Sequence, residues 1–423
     1  MHLDVEKCRR LMGYSKYSEV VLHEHGFTVL CYCRDTPSSR GGFRMLISGE
    51  VYPNTSNIRT DSLCGSVHNL HDMLHGDGNY ALACIYTDSR ASIAFARDPL
   101  GSRPLYYQHD SNGVVVASDR RVLDDGLEVE PGTLYVFEHS NMESTRFSPL
   151  VYEPYTAMDT MYMDGVIERT RHLIIRSLRL RLAGRSRVVA GVSGIDSIIL
   201  ALLSERISSV VPVTVCTRGS YDEINANYIR DRTGLDIHVV VLDEGEILTI
   251  LDELYSLNID LDFTDAMDLS IACVVYALAR FARDDGADAI MLGQLADELF
   301  GGYARYMRHA SIYGLDSLNL MLFNDVKNAR HDLCRDVGVA SSMMVDVVLP
   351  YASTDLASYV TNLPAELKVD IKHGVRKLLL RRVAESMGLA GDVVYREKKA
   401  MQFSTGIFRI VKGLLRDGRI RGR

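Results

Sequence analysis

The chain has 423 residues, 47% of them hydrophobic, and its 55 acidic and 47 basic side chains leave a net charge of −8. That length exceeds one ordinary domain, so two are expected. The acidic balance argues against nucleic acid as the main partner. The basic close DGRIRGR reads as solvated surface. The eight cysteines are scattered with no CxxC pair, which indicates neither a zinc ribbon nor a disulfide framework and suits reduced thiols in a cytoplasmic protein. No window approaches the ~18 uncharged apolar residues of a membrane span, and the charged opening MHLDVEKCRR lacks the apolar core of a signal peptide.

Between about residues 18 and 140 the apolar residues alternate in short runs: EVVLHEHGFTVLCYC, FRMLISGEVY, NYALACIYT, ASIAFARD, GVVVASD and GTLYVFEH. Turn signals such as Asp-Ser-Asn-Gly and Glu-Pro-Gly separate them, the pattern of packed antiparallel sheets. One helical stretch, about 61–75, interrupts the series. Past residue 158 long helical patterns (VIERTRHLIIRSLRLRLAG, IACVVYALARFARDDG, VRKLLLRRVAESMG) alternate with short buried strands (RVVAGV, VVPVTVC, IHVVVL, DAIMLG). That alternation predicts a parallel sheet covered by helices. The boundary falls in SPLVYEPYTAMD, giving domains over 1–150 and 151–423.

The most informative stretch is MLGQLADELFGGYARY, residues 291–306. It places Asp297-Glu298 at a strand-to-helix junction, where an open α/β sheet holds a ligand. It resembles the SGEGADELFGGY signature of the asparagine synthetase and β-lactam synthetase superfamily, which joins a carboxylate to an amine through an acyl-adenylate. A hundred residues earlier, strand RVVAGV runs into Ser193-Gly194-Ile195-Asp196-Ser197. Small residues and backbone N–H groups at a helix start form a phosphate cradle. The segment resembles the PP-loop of ATP pyrophosphatases, S-G-G-x-D-S, with Gly194, Asp196 and Ser197 matching and Val192-Ser193 standing where Ser-Gly is usual. The resemblance implies an ATP site over Ser193, Gly194, Asp196, Ser197, Gly293 and Lys377, with Asp196 and Asp297 holding Mg²⁺; hard oxygen ligands suit that ion.

Further motifs follow the same order. Asp222-Glu223 and Ala226 match the D-E-x-x-A helix, residues 213–216 would pack against adenine, and Asp268 and Ser270 would face the acyl substrate. The segment YREKKAMQFSTGI is similar to R-x-K-K-A-x-Q, with Arg396, Lys398, Lys399 and Gln402 matching. The R-x-K spacing favours Lys398 over Lys399 as the catalytic lysine that stabilises developing charge. By the same resemblance Asp346 takes the place of a family glutamate near the adenylate. Gln294 stands where asparagine synthetases carry Glu and β-lactam synthetases carry Tyr, and Leu295 stands where Gly is usual. The acceptor half of the site is rebuilt.

The N-terminal half resembles a class II glutaminase through LISGEVYP, RTDSL, ARDPLGSRPLYY and Pro131-Gly132. Such enzymes attack glutamine with a cysteine directly after the initiator Met, whereas this sequence reads Met1-His2, with Cys8 in a charged segment and Ser48 replacing an oxyanion-supporting Asn. The fold expected is an Ntn glutaminase-like antiparallel β-sandwich with flanking helices, predicted inactive, followed by an adenine nucleotide alpha hydrolase-like α/β domain. The function expected is an ATP-dependent carboxylate–amine ligase using Mg²⁺, a small-molecule carboxylate, and ammonia or a substrate amine. No nucleic acid or membrane partner is expected, and a homodimer is allowed. The altered PP-loop and missing nucleophile keep open a non-catalytic nucleotide- or partner-binding relative; an RNA-modifying PP-loop enzyme is disfavoured by the acidic balance.

Overall fold

The computed structural model describes residues 18–24, 27–33, 38–40, 43–52, 70, 74–86, 92–110, 113–138, 141–155, 163–257, 259, 261–396 and 401–420. The chain divides into two compact units, Met1–Val151 with Ala352–Ser358, and Tyr152–Tyr351 with Tyr359–Arg423.

Among the described residues the first unit carries two sheets. Strands β1 (Ser18–Glu24), β2 (Phe27–Cys33), β7 (Tyr106–Asp110), β8 (Gly113–Ala117) and β9 (Leu127–Glu128) form a five-stranded sheet in the order β1-β2-β8-β7-β9. Strands β3 (Ser38–Arg40), β4 (Phe43–Tyr52), β5 (Asp77–Tyr86), β6 (Ser92–Arg97), β10 (Thr133–Glu138) and β11 (Asn141–Arg146) form a six-stranded sheet in the order β11-β10-β6-β5-β4-β3. Among the described residues pairing in this unit is antiparallel except between β2 and β8, which run parallel. The alternation of β5 and β6 is split between two cores. Ala81, Ala83, Ile85, Ile93 and Phe95 pack with Val114 and Val116 of β8, while Leu82, Cys84, Ala94 and Ala96 pack with Leu70 and Leu74. Side chains alternate faces along a strand, so a sheet covered on both sides buries every position. Each large apolar side chain hidden in this way contributes about 1.5–3 kcal/mol.

In this unit the ARDPLGSRP motif is a fastened turn. Asp98 is fully buried and accepts from the N–H groups of Tyr80 (3.1 Å), Leu100 (2.9 Å) and Ser102 (3.0 Å) and from the Ser102 hydroxyl (2.7 Å). Buried Arg97 pairs with Glu128 at 2.7 Å. The RTDSL stretch, Met1 through Cys8, and most of the helix expected over 61–75 lie outside the described residues.

The second unit holds a parallel sheet of β12 (Arg187–Gly191), β13 (Ser209–Cys216), β14 (His238–Val241), β15 (Ala289–Met291) and β16 (Asp346–Val348), ordered β14-β13-β12-β15-β16. The order runs outward from β12 one way to β14 and then resumes on its other side with β15. That reversal lies between β12 and β15, and open sheets of this kind bind ligands at such a switch point, beyond the carboxyl ends of the strands.

The helices of this unit are α1 (Met163–Leu182), α2 (Ile195–Ser204), α3 (Tyr221–Thr233), α4 (Glu244–Ser256), α5 (Ala266–Asp284), α6 (Ala296–Phe300), α7 (Ala304–Tyr313), α8 (Leu315–Asn328) and α9 (Arg330–Ser342). After them come α10 (Thr354–Asn362), which begins in the first unit, and α11 (Leu378–Ser386), α12 (Gly391–Val394), α13 (Met401–Ser404) and α14 (Ile407–Arg416). Local signals set several of the ends. The Ser220 hydroxyl accepts from the Glu223 N–H to start α3, Asp243 and Glu246 cap α4 reciprocally, and Asp265 accepts from the Met267 N–H to start α5. No helix among the described residues is long and apolar enough to cross a membrane.

Candidate nucleotide and acyl-transfer site

The chain leaves β12 through buried Val192, turns at Ser193 and Gly194, and enters α2 with Asp196 and Ser197 in the first helical turn. Ser197 organises this turn. Its Oγ accepts from the N–H groups of Ser193 (3.0 Å) and Gly194 (3.2 Å) and donates to the Gly194 carbonyl (2.9 Å). N–H groups at a helix start are a natural anion site. The Ser193 carbonyl accepts from Nδ2 of Asn225 at 2.8 Å.

Across the switch point, β15 ends and Gly293 brings its backbone close to this turn. A Cβ there would stand 3.5 Å from the Asp196 Cβ and 3.7 Å from the Ser197 nitrogen. Leu295 then adopts φ +73°, a left-handed conformation kept although the residue is not glycine, and its side chain is buried. Such a backbone costs about 1–2 kcal/mol in an L-residue. It turns the chain into α6, whose first turn carries Asp297.

Lys377, just ahead of α11 and also left-handed at φ +56°, joins the two turns. Its buried ammonium lies 2.6 Å from Asp196 Oδ2 and 2.8 Å from Asp297 Oδ1. Gly302 is the residue that allows this approach, because a Cβ on it would lie 1.8 Å from Asp297 Oδ1 and 2.2 Å from Lys377 Cε. Two carboxylates from separate elements thus converge on one cation, a donor set that suits Mg²⁺. Among the described residues no group of three or more His, Cys, Asp and Glu is placed to hold a metal, so further ligands would come from phosphate oxygens and water, the usual arrangement for that ion.

These turns open onto a cleft of about 560 Å³, within the range of small-molecule sites. Ser193, Gly194, Asp196, Ser197, Gly293, Val213 and Val215 line it. So do the polar side chains of Asp268, Gln294, Glu298, Tyr303, Asp332 and Arg335. Arg335 is almost fully buried and bonds Asp268 (3.0 Å), Asp332 (2.6 Å) and Asp336 (3.0 Å), so its charge is spent on carboxylates; they raise its pKa despite burial. Asp268 also receives His331 Nε2 at 3.1 Å, and that bond, aided by Arg335, holds its carboxyl below the usual range against the effect of burial. Burial pushes the Glu298 carboxyl up, opposed by its 2.6 Å bond from the Tyr303 hydroxyl.

Gln294 donates through Nε2 to Asp336, a wholly buried carboxylate whose pKa burial raises against the pull of Arg335. One N–H of that nitrogen is so committed, and the carbonyl oxygen is the acceptor the amide can offer the cleft. An amide does not titrate, so Gln294 can orient an amine but cannot take its proton.

The structure therefore brings Ser193, Gly194, Asp196, Ser197, Gly293, Gln294 and Asp297 to one cleft, with Lys377 tying two of them together. Asp346 is not brought there. It begins β16, paired in register with Ala289 at the start of β15, and so sits at the amino edge of the sheet, opposite the cleft. Its carboxylate is bound by Arg185 at 2.6 Å. The expectation that Asp346 takes part in acyl chemistry is corrected on that ground. Of the two residues expected to face the acyl group, Asp268 lines the cleft, whereas fully buried Ser270 donates back to the Met267 carbonyl at 2.8 Å within its helix. Lys398 and Lys399 lie outside the described residues, as does the Gln402 side chain.

Sequence reasoning passed over Asn225, Asp332 and the Gln294–Asp336 contact. Asn225 stands inside the D-E-x-x-A match, at a position that the pattern leaves open.

These features define a two-part protein: a glutaminase-like sandwich followed by an α/β unit with a PP-loop-type turn at its switch point. Comparison with known proteins agrees. The asparagine synthase family matches residues 169–315 and 311–419, and the glutamine amidotransferase domain matches 45–125. The first match spans more than half of the sequence, and the chain belongs to the asparagine synthase family. A putative glutamine-hydrolysing asparagine synthetase 1 of Methanocaldococcus jannaschii is 25% identical over 87% of this chain and 79% of its own length. Asparagine synthetase of Gallus gallus is 23% identical over 88% and 69%. The amidase chry2 of Gibberella zeae is 25% identical over 62% and 48%.

Proposed function

We propose that this protein is an ATP-dependent carboxylate–amine ligase. A substrate carboxylate oxygen attacks the α-phosphorus of ATP, the bond to the β-phosphate oxygen breaks, and pyrophosphate leaves. An amine then attacks the acyl carbon, AMP departs, and the amine gives up a proton, which forms an amide or a lactam. The observation that carries this reading is the convergence of Asp196 and Asp297 on Lys377 at the head of the cleft.

In this reading the N–H groups of Ser193 and Gly194 hold phosphate oxygens, and Lys377 neutralises the carboxylate pair while its charge faces the phosphates. Mg²⁺ held by that pair would supply positive charge for the departing pyrophosphate. Gln294 orients the incoming amine through its carbonyl, and Lys398 on the basic C-terminal segment stabilises the charge of adenylate formation. The amine is ammonia or a group on the substrate rather than glutamine nitrogen; Ser48 in β4, where the resembled glutaminases carry Asn, supports that choice. The remaining partners are small molecules, with no nucleic acid or membrane involved.

The test is to incubate the full chain with Mg·ATP and a panel of amino and dicarboxylic acids, with and without ammonia or glutamine, and to follow pyrophosphate. Release that depends on one acid, completed by ammonia or by no added amine, is the expected result. Silence across the panel with ATP still bound would favour the non-catalytic binding relative, and turnover with glutamine alone would overturn the choice of amine.

A further inference from the structure

The turn that would cradle phosphate departs from its pattern at Val192 and Ser193. Besides Ser197 within the turn, a side chain from α3 holds it. Asn225, in the second turn of α3, is buried, and both ends of its amide are used. Nδ2 donates to the Ser193 carbonyl at 2.8 Å, and Oδ1 accepts from Arg396 Nε. Since Ser193 O can only accept and Arg396 Nε can only donate, the orientation of the amide is fixed at both ends.

Arg396 is anchored in turn. Its guanidinium stacks 3.9 Å from the centre of the Tyr228 ring and 5.8 Å from that of Tyr221, and the Tyr228 hydroxyl donates to Asp392 at 2.7 Å. A guanidinium is attracted to an aromatic face, so this contact resists sliding.

Asp222 of the same helix, and Thr217 just ahead of it, hold the chain again a few residues later. The Ser404 hydroxyl donates to buried Asp222 at 2.8 Å, and the Thr405 carbonyl accepts from the backbone nitrogen (2.8 Å) and hydroxyl (3.0 Å) of Thr217. Gly406 makes that second junction at φ +79°, where a Cβ would meet Thr217 Oγ1 at 2.2 Å. The cavity under the turn beside Asn225 and Arg396 is only about 20 Å³, room for about one water. The cluster is therefore a fastening rather than another ligand site.

We propose that Asn225 is a positioning residue of the nucleotide site: its amide ties the Ser193 carbonyl of the phosphate turn to Arg396, so that turn and the start of the basic C-terminal segment keep one geometry. The inference rests on the reading of the cleft as an ATP site, and it says what sets the shape of the phosphate turn specifically. Packing of adenine against Val213 and Val215, which line the same cleft, does not depend on it.

The experiment titrates the full-length protein with Mg·ATP and, separately, with adenosine, reading heat, alongside melting temperature. Asn225→Asp keeps the volume and the acceptor for Arg396 but turns the donor into a carboxylate facing the Ser193 carbonyl. Asn225→Ser is the second variant, should the first fold poorly. The expected result is a loss of about tenfold or more in Mg·ATP affinity, the scale of a lost charge-neutral bond plus a repulsive contact, with adenosine affinity unchanged. Equal losses for both ligands, or an unchanged Mg·ATP affinity, would overturn the inference while leaving the ligase reading intact. Wild type that binds no Mg·ATP would overturn both.

Discussion

The ammonium of Lys377 lies 2.6 Å from Oδ2 of Asp196, a residue 181 positions earlier in the chain, and 2.8 Å from Oδ1 of Asp297. Two carboxylates drawn this close repel each other strongly away from water unless a cation stands with them. Removing one partner of a buried ion pair costs about 3–5 kcal/mol. Lys377→Met is therefore expected to lose stability on that scale in urea denaturation with EDTA, and to regain part of it when Mg²⁺ is added. A variant as stable as wild type in EDTA would show that the pair does not depend on the lysine.

Gly302 tests the same cluster from the side. Alanine there would drive its methyl into the side-chain ends of Asp297 and Lys377, so those side chains must swing aside and the pair separates. Misplacing a reacting group by about 1 Å can cost about a hundredfold in rate. Gly302→Ala is expected to lower substrate-dependent pyrophosphate release by that order, and a variant with wild-type turnover would contradict the steric reading.

Lys368 gives the protein a pH dependence. Wholly buried and bonded to Asn319 Oδ1 (2.8 Å) and the Thr361 carbonyl (3.2 Å), it is lowered by burial from 10.5 to about 7, with Glu366 pulling the other way. Between those values the unfolded chain holds a proton that the folded protein has released. Unfolding then takes up a proton, so stability rises with pH across that window, and below it both states are protonated and the slope vanishes. Urea midpoints from about pH 7.5 to 9.5 should climb in wild type and climb less in Lys368→Met; parallel curves would contradict this.

The contact between Gln294 and Asp336 predicts a reversal. Gln294→Glu introduces the residue that the resembled asparagine synthetases carry, yet sets it against a buried carboxylate. One of the two carboxyl groups must then bind a proton or the contact must open, at a cost of about 1–3 kcal/mol for the buried group left unsatisfied. Adding Asp336→Asn should restore most of the loss in thermal melts, and additive losses would show that the two side chains are not coupled.

The β-sandwich followed by a parallel α/β sheet was legible in the sequence, because alternation over β5 and β6 and helical periodicity over α1 and α5 are written at short range. The strand–turn–helix at Ser193 to Ser197 was legible for the same reason: small residues and a capping hydroxyl act on their near neighbours. The parallel pairing of β2 with β8 was not, since nothing in either strand records its partner.

Motif order and residue type alone thus determined the family, the two-part architecture and the pairing of a PP-loop-type turn with an acidic turn. Only the tertiary structure decided which polar residues meet. It set Asp346 at the amino edge of the sheet with Arg185, Gln294 against Asp336, and Asn225 between Ser193 and Arg396. The physical reason is that a side chain's chemistry is local, whereas its partner is chosen by strand order and by competition among all the charges that folding brings within reach.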